Sequence, residues 1–390
     1  MTEHRRLPWP LACFILLAAS ASGQSNAPRT AHSGQLAAET IKQIEALIQQ
    51  EMTRQSIPGM SVAVGINGQV RYAKGFGTAD LEHSIPVKAT TVYRTASIAK
   101  PMTATAVVLL AEQGKLDLDA PIQKYCAAFP EKPWPVTARQ LLGHLGGVRH
   151  YTKPGESSGT THYFTIEESL KLFKDDPLLH EPGSKFHYTT YGYSVLGCAI
   201  EGAAGLGYED YMQENVFKPA GMAHTRNDDH FFVIPDRARG YLKLDDRTYA
   251  ELPAVVKGKV KVGQLYNAQL HDTSMKVPGG GLVSTSVDLV KFGHASMTGT
   301  FVKQPALERM WTPQQTKDGK KTTYGLGWGV GERAGMKLFS HSGGQAGTST
   351  LLYVLPEKSI VIAAMCNLEG ASLGRMLDEI GKALVGNPQQ

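Results

Sequence analysis

Three short segments, in a fixed order along the chain, carry residue types that together could transfer an acyl group. They are a Ser-x-x-Lys sequence at Ser97 and Lys100, a Tyr-x-Thr sequence at Tyr188 and Thr190, and a His-Ser-Gly-Gly sequence that begins at His341. Serine can attack a carbonyl carbon, lysine and tyrosine can move protons, and backbone N–H groups of small residues can hold an oxyanion. The order suggests a nucleophile, a proton-transfer element and an oxyanion element.

The first segment needs a neutral lysine. A serine hydroxyl is a weak nucleophile until a base takes its proton, and lysine is a base only when desolvation or positive potential keeps it neutral. The spacing of Ser97 and Lys100 puts both side chains on one helix face. Because Pro101 is tolerated only in a first turn, the helix should begin near Ile98, which leaves Ser97 at a helix N-terminus that favours developing negative charge. A capping serine beside a solvated lysine would explain the same spacing.

The other two segments each have a structural alternative. Tyr188 lies between a turn at residues 181–184 and an apolar helical run at 194–204, so its phenol could project into a cleft and share proton transfer with a cationic Lys100. It could also simply pack among its aromatic neighbours. Residues 339–344 end an apolar run in a Gly-rich turn, where a backbone N–H could contact a bound carbonyl or the turn could just join two strands.

Together the segments resemble the Ser-x-x-Lys, Tyr-x-Asn and Lys/His-x-Gly motifs of the serine β-lactamase and penicillin-binding-protein superfamily. Segments at 141–151, 278–285 and 324–329 are similar to its class C-like branch, which includes esterases, D-aminopeptidases and the peptidase-like mitochondrial serine β-lactamase-like proteins. The similarity extends from about residue 41 to residue 384. It implies an α/β fold and a serine hydrolase, and we expect neither a metal nor another cofactor.

The resemblance also implies a role for each matching residue. Ser97 would be the acylated nucleophile, Lys100 its base partner and Tyr188 the general acid/base. Thr190, His341, Gly343 and Gly344 would contact the substrate or its oxyanion, with the backbone N–H groups of Ser97 and Gly344 forming the oxyanion hole.

Two positions depart from the β-lactamase pattern. Thr190 replaces the usual asparagine, so a shorter hydroxyl stands where a carboxamide could both donate and accept. His341 replaces lysine, and an ordinary imidazole is mostly neutral at pH 7. Both changes weaken an antibiotic-hydrolase interpretation. We expect an acyl-enzyme that hydrolyses an amide or peptide bond, with a carboxylesterase, a D-aminopeptidase or a β-lactamase as alternatives. A slowly deacylating sensor or a self-assembling scaffold is the alternative of another class, although no sequence feature predicts self-association.

The N-terminus predicts export. Arg5 and Arg6 precede an apolar stretch at 11–19 and small residues at 19–23, which is typical of a signal peptide over 1–23, with a linker at 24–34. The apolar stretch is too short to span a bilayer, so we expect a periplasmic or secreted protein without a stable membrane anchor after cleavage. A formal net charge of +5 over 390 residues is mild and does not suggest nucleic-acid binding.

The mature chain would keep three cysteines, Cys126, Cys198 and Cys366. Their wide spacing forms no disulfide framework. Because Cys198 and Cys366 lie in apolar runs, buried free thiols are expected, although one pair could bridge in an oxidising compartment.

Hydrophobic patterning predicts an antiparallel sheet flanked by helices. Strand-like runs at 60–66 and 69–76 are joined by Asn67-Gly68, and runs at 349–355 and 359–365 form a second hairpin. Helical patterns at 38–54 and 373–384 flank this sheet. We expect a sheet lobe made of residues 35–115 and 277–390 and a mostly helical lobe at 116–276, with the site in the cleft between them.

Other polar residues suggest structural roles. His144 and His150 lie beside glycines and are expected to be hydrogen-bond partners rather than catalytic groups. Asp228, Asp229 and His230 have metal-ligand chemistry, but three adjacent side chains do not easily face one ion, so a solvated turn is expected there.

Overall fold

A computed structural model describes residues 36–153, 155–333 and 335–386. The expected signal peptide at 1–23 and linker at 24–34 lie outside the described residues. The strands are β1 (Gly59–Ile66), β2 (Gln69–Asp80), β3 (Ile85–Pro86), β4 (Tyr93–Arg94), β5 (Arg226–Asn227), β6 (Tyr241–Lys243), β7 (Leu265–Asn267), β8 (Leu282–Ser284), β9 (Gly329–Arg333), β10 (Met336–Gln345), β11 (Thr348–Leu355) and β12 (Ile360–Cys366).

The α-helices are α1 (Ala38–Gln55), α2 (Ala99–Glu112), α3 (Ala138–Leu142), α4 (Ile166–Leu170), α5 (Tyr191–Ala204), α6 (Tyr208–Met212), α7 (Asp246–Glu251), α8 (Ala254–Lys257), α9 (Val277–Gly280), α10 (Ser286–Met297), α11 (Gln304–Met310) and α12 (Gly374–Val385). Short 3₁₀ turns lie at Ala96–Ile98, Ile122–Lys124, Ser274–Lys276 and Pro356–Lys358, and a π-helical turn at Gln213–Phe217 follows α6.

A seven-stranded antiparallel sheet joins the two ends of the chain. Its order is β3-β2-β1-β12-β11-β10-β9, and the terminal hairpins meet where β1 pairs with β12. Asn67 and Gly68 have φ angles of 51° and 80°, the left-handed values that a tight hairpin turn requires. Both predicted hairpins are confirmed, as is the antiparallel sheet flanked by helices.

Both faces of the central strands are buried. Val62 and Val64 of β1 pack in one cluster with Ile44 of α1 and Leu377 of α12. Ala63, which points to the opposite face, belongs to a second cluster that includes the buried face of α10 and the helices of the middle of the chain. The sheet therefore forms a rigid layer on which the remaining helices pack.

The described residues between 36 and 386 belong to one compact unit. The second hydrophobic cluster runs without a break from the sheet through α2 to α5. The division into a sheet lobe and a helical lobe stays a prediction. Among the described residues, we find no helix that is both long and apolar enough to cross a membrane.

The cysteine expectation is wrong for two of the three residues. Cys126 and Cys198 form a disulfide bond, whereas Cys366 is a buried free thiol. An apolar neighbourhood does not distinguish a buried thiol from a buried disulfide. The pairing depends on how the turn at Ile122–Lys124 packs against α5, and local sequence does not reveal that contact.

Candidate active site

Ser97 lies at the start of α2, as the position of Pro101 predicts. The 3₁₀ turn at Ala96–Ile98 leads directly into the helix, and Ala96 has a φ of 46°, which is costly for a residue with a side chain. The neighbouring strands hold this segment, because Thr95 N donates to Leu282 O over 2.8 Å and Thr350 Oγ1 donates to Thr95 O over 2.9 Å. The strained turn presents a partly exposed Ser97 at a helix N-terminus.

Lys100 is fully buried directly beneath Ser97. Its Nζ lies 3.0 Å from Ser97 Oγ, 2.7 Å from Gly279 O and 3.2 Å from Thr190 Oγ1. Burial lowers the pKa of Lys100 well below its usual range, and the positive charge of Lys276 lowers it further. The amine is therefore available in its neutral form.

Tyr188 lies over the same lysine. The centre of its ring is 4.8 Å from Lys100 Nζ, at the loop that leads into α5. Although Tyr188 keeps part of its surface exposed, the packing around its phenol raises the pKa, and an interaction with the Ser97 side chain opposes that rise. The phenol is therefore protonated beside both Ser97 and Lys100. The structure thus brings Ser97, Lys100, Tyr188 and Thr190 together from two distant segments.

His341 on β10 is an uncharged member of this cluster. Its Nδ1 lies 2.7 Å from Ser342 O and its Nε2 lies 2.8 Å from the hydroxyl of Tyr324. Because a carbonyl only accepts, Nδ1 carries the proton and Nε2 accepts the Tyr324 hydrogen bond. Burial and the nearby Lys100 lower the pKa of His341 to about 3. The strand therefore supplies no fixed positive charge at this position.

The two glycines after Ser342 have different surroundings. A Cβ on Gly343 would lie 2.4 Å from Thr95 O and 2.4 Å from Thr350 Oγ1, so β10 packs tightly against the segment before Ser97. A Cβ on Gly344 would meet nothing within 4 Å. Gly344 therefore borders open space next to the strained turn. The oxyanion role of its N–H group stays a prediction.

His144 and His150 are hydrogen-bond partners, as the sequence predicts. Thr189 N donates to His144 Nδ1 and Thr190 N donates to His150 Nδ1, each over 3.2 Å. The fully buried ring of His144 lies 4.3 Å from the ring of Tyr188. Burial lowers the pKa of both histidines, to about 4 for His150. These neutral rings fix the backbone that carries Tyr188 and Thr190.

Sequence reasoning missed Lys276. It is almost fully buried, its Nζ donates to Ser157 O over 3.0 Å, and burial together with the charge of Arg94 lowers its pKa to about 7. Its place just before the Gly-rich segment at 278–285, which supplies Gly279 O to Lys100, is the signal that could have indicated it.

The expected solvated turn at Asp228, Asp229 and His230 is wrong for Asp228. That carboxylate is buried and pairs with Arg94, over 2.7 Å, and with Arg237. Arg94 comes from a distant part of the chain and Arg237 lies nine residues further on, so residues 228–230 alone do not reveal either partner. His230 contacts Asp272, and with His162 these residues form a group that could hold a metal ion.

Comparisons with known proteins show the family to which the chain belongs. The Beta-lactamase family profile matches residues 44–385. The chain is 30% identical to the mitochondrial serine beta-lactamase-like protein LACTB of Homo sapiens, over 90% of this chain and 80% of that protein.

Two solved structures share the fold. The octameric penicillin-binding protein homologue from Pyrococcus abyssi superposes with a TM-score of 0.72 at 27% identity, covering 89% of this chain and 78% of that one. D-amino acid amidase from Ochrobactrum anthropi SV3 superposes with a TM-score of 0.76 at 24% identity, covering 89% and 99%. The extent of the family match and the identity to LACTB together show that the chain belongs to the beta-lactamase family.

Proposed function

We propose that the chain is a serine hydrolase that forms an acyl-enzyme on Ser97 and hydrolyses an amide, most simply a peptide bond. The observation that carries the proposal is the 3.0 Å separation between Ser97 Oγ and the Nζ of a fully buried Lys100. Membership of a family of serine hydrolases supports the hydrolase part. The amidase whose fold the chain shares supports an amide as the substrate class.

The contacts of Lys100 suit a neutral amine. Two N–H groups donate to Gly279 O and Thr190 Oγ1, which leaves the lone pair facing the Ser97 hydroxyl. Tyr188 is the weaker candidate for the base because its raised pKa keeps the phenol protonated. The lysine therefore takes the serine proton, and the tyrosine is ready to give one.

Acylation follows from these assignments. Ser97 Oγ attacks the carbonyl carbon while its proton moves to Lys100 Nζ, and the backbone N–H groups of Ser97 and Gly344 hold the oxyanion. The Tyr188 hydroxyl protonates the departing amine as the carbon–nitrogen bond breaks. Lys100 then returns its proton to Tyr188, so both groups regain their starting states.

Deacylation uses the same groups in the reverse direction. A water molecule attacks the Ser97 ester as its proton passes to the Lys100–Tyr188 pair, and Ser97 Oγ recovers a proton as the acid product leaves. The neutral His341 gives no point charge for a substrate carboxylate, which favours substrates that are uncharged next to the scissile bond.

A hydrolysis panel tests this function. The substrates are D- and L-amino-acid amides, p-nitrophenyl esters and nitrocefin. Turnover is measured for the wild type, Ser97→Ala and Tyr188→Phe, with the exposed Ser372→Ala as a control. Ser97→Ala should abolish all turnover and Ser372→Ala should change none. Tyr188→Phe should slow amide hydrolysis by roughly 10²–10⁴-fold but ester hydrolysis much less, because nitrophenolate leaves without a proton. Full turnover by Ser97→Ala would refute the proposal.

We also propose that the protein is exported through residues 1–23, on the pattern of those residues alone. Fractionation and intact mass of the chain expressed in a bacterium test this. A cytoplasmic chain of full mass would contradict it.

A further inference from the structure

Two histidines and an aspartate from separate segments converge outside the serine site. His162 precedes α4, His230 follows β5, and Asp272 precedes the 3₁₀ turn at Ser274–Lys276. Asp272 Oδ2 lies 2.8 Å from His162 Nδ1 and 2.6 Å from His230 Nδ1. One carboxylate oxygen therefore accepts from two imidazole rings.

We propose that His162, His230 and Asp272 form a binding site for a divalent transition-metal ion of the zinc class. The three ligand atoms lie within 4.8 Å of one another. The two imidazole rings are 4.9 Å apart at their centres and cross at 81°, so their nitrogens approach the carboxylate from different directions. Two imidazole nitrogens and one carboxylate oxygen are ligands that zinc uses in open sites, with solvent in the remaining position.

Metal binding would replace the two Nδ1 protons that now lie between the rings and the carboxylate. In a neutral imidazole the proton moves from Nδ1 to Nε2, and a cationic imidazole releases one proton to solvent. Ligands about 2.1 Å from a tetrahedral ion lie roughly 3.4 Å apart, so the contact of Asp272 with His162 must widen by about 0.6 Å and that with His230 by about 0.8 Å. The half-exposed His230 side chain has room to move outward by that amount.

The Asp272 carboxylate is already oriented as a metal ligand. Its other oxygen, Oδ1, accepts from Ser274 N over 2.7 Å, which fixes the orientation of the buried carboxylate. Burial opposes ionisation, but hydrogen bonds from Ser274 and His162 outweigh it and lower the pKa of Asp272. The carboxylate is therefore charged and aimed at both imidazoles.

Nearby positive charge is partly compensated. Arg94 donates to the carbonyl of His271, next to Asp272, but both Arg94 and Arg237 are paired with the buried Asp228. A cation at the cluster therefore does not face two free guanidinium groups.

The surroundings combine a cover with an entry path. The rings of Phe164 and Phe231 lie 4.7 Å and 4.8 Å from that of His162, and both phenylalanines are largely exposed. Half of the His230 side chain is open to solvent, which leaves a route for the ion. Asp272 also begins the segment that reaches Gly279, whose carbonyl accepts from Lys100. A bound ion would therefore restrain the segment whose Gly279 carbonyl accepts a hydrogen bond from Lys100.

Metal uptake by the untagged full chain tests the site. Calorimetry measures Zn²⁺ binding to four chelator-treated proteins: the wild type, His162→Ala, His230→Ala and Asp272→Asn. In a separate experiment Co²⁺ is added to each protein and its visible absorption is recorded. His83→Ala is the matched control, because His83 contacts Asp80 over 2.8 Å at the surface and the described residues add no third ligand there. We expect one equivalent of zinc in the wild type and the control. Binding in the cluster variants should be weaker by at least roughly 10- to 100-fold, the cost of losing a hydrogen-bond partner of a ligand, because these variants lose a ligand itself.

A comparison of folding separates loss of the metal ligand from loss of the fold. His230→Ala leaves the buried contact between His162 and Asp272 in place, so its far-ultraviolet circular dichroism and thermal midpoint without metal should match the wild type. Zinc should raise the thermal midpoint of the wild type but not of this variant. The cluster would be a hydrogen-bond network only if the wild type took up no zinc. The same would follow if His230→Ala and Asp272→Asn bound zinc as tightly as the wild type.

Discussion

The hydroxyl of Tyr324 lies 2.8 Å from Nε2 of His341 and donates to it, because the proton of the imidazole is on Nδ1. The opposite nitrogen donates to Ser342 O, so the ring is fully satisfied without a charge. Protonating Nε2 would turn the Tyr324 hydroxyl from a donor into an acceptor beside the buried Lys100. His341 is thus a neutral hydrogen-bonding group on the strand that borders Ser97.

His341 should make the fold sensitive to acid. Its pKa is about 3 when folded and about 6.5 when unfolded, so the unfolded chain binds the proton first as the pH falls. The stability that depends on a neutral His341 is complete above pH 6.5 and decreases below it, by about 2 kcal/mol between pH 7 and pH 5. Urea unfolding should show a pH dependence smaller by that amount in His341→Gln. An unchanged pH dependence in His341→Gln, with the exposed His83→Gln as control, would contradict this.

Lys276 should shift the pH at which the site becomes reactive, because it adds to the lowering of the Lys100 pKa by burial. Acylation requires neutral Lys100, so its rate should increase as the pH rises through the lowered lysine pKa and then level off. Lys276 is mostly charged below about pH 7, where it lowers the pKa of Lys100. In that range Lys276→Met should move the rise in rate to higher pH and slow acylation several-fold. The plateau rate should change little. Stopped-flow measurement of the acylation rate across pH tests this. If the rate rises over the same pH range in Lys276→Met as in the wild type, Lys276 has only a packing role.

Gly343 and Gly344 form a matched pair for testing the packing of β10. Gly343→Ala would place a Cβ against Thr95 O and Thr350 Oγ1, so we expect a loss of roughly 1–3 kcal/mol in the free energy of unfolding together with lower activity. Gly344→Ala meets open space and should unfold like the wild type. Chemical denaturation compares the two variants. Equal stability would mean that the strand does not pack tightly against the segment before Ser97.

The disulfide between Cys126 and Cys198 should stabilise the fold by restricting the unfolded chain. The two cysteines are 72 residues apart, and closing a loop of that length corresponds to about 4 kcal/mol. Adding a reductant should lower the thermal midpoint of the wild type. The Cys126→Ala/Cys198→Ala variant should start lower and not respond. A wild type whose thermal midpoint stays the same although both cysteines have been reduced to free thiols would contradict the loop-closure account.

Local patterns predicted the sheet well. Asn67-Gly68 identifies a hairpin because only left-handed backbone closes so tight a turn, and the helices at both ends show clear periodicity. The order of the three motifs likewise indicated which residues meet.

Contacts between distant segments account for what the sequence did not reveal. Tertiary packing determines three features that the sequence did not show. They are the bond between Cys126 and Cys198, the burial of Asp228 between Arg94 and Arg237, and the nearness of Lys276 to Lys100. Residue type and spacing specify each group's chemistry, but they do not specify its partners across the fold.

The central claim is that buried Lys100 activates Ser97, and covalent labelling tests it most directly. The wild type, Ser97→Ala and Lys100→Arg are incubated with a fluorophosphonate, and intact mass is recorded over time. Arginine stays protonated at all accessible pH values and cannot act as the base. We expect one adduct on the wild type, none on Ser97→Ala and far slower labelling of Lys100→Arg. Labelling of Lys100→Arg as fast as that of the wild type, equal labelling of Ser97→Ala, or no adduct on the wild type would contradict the account.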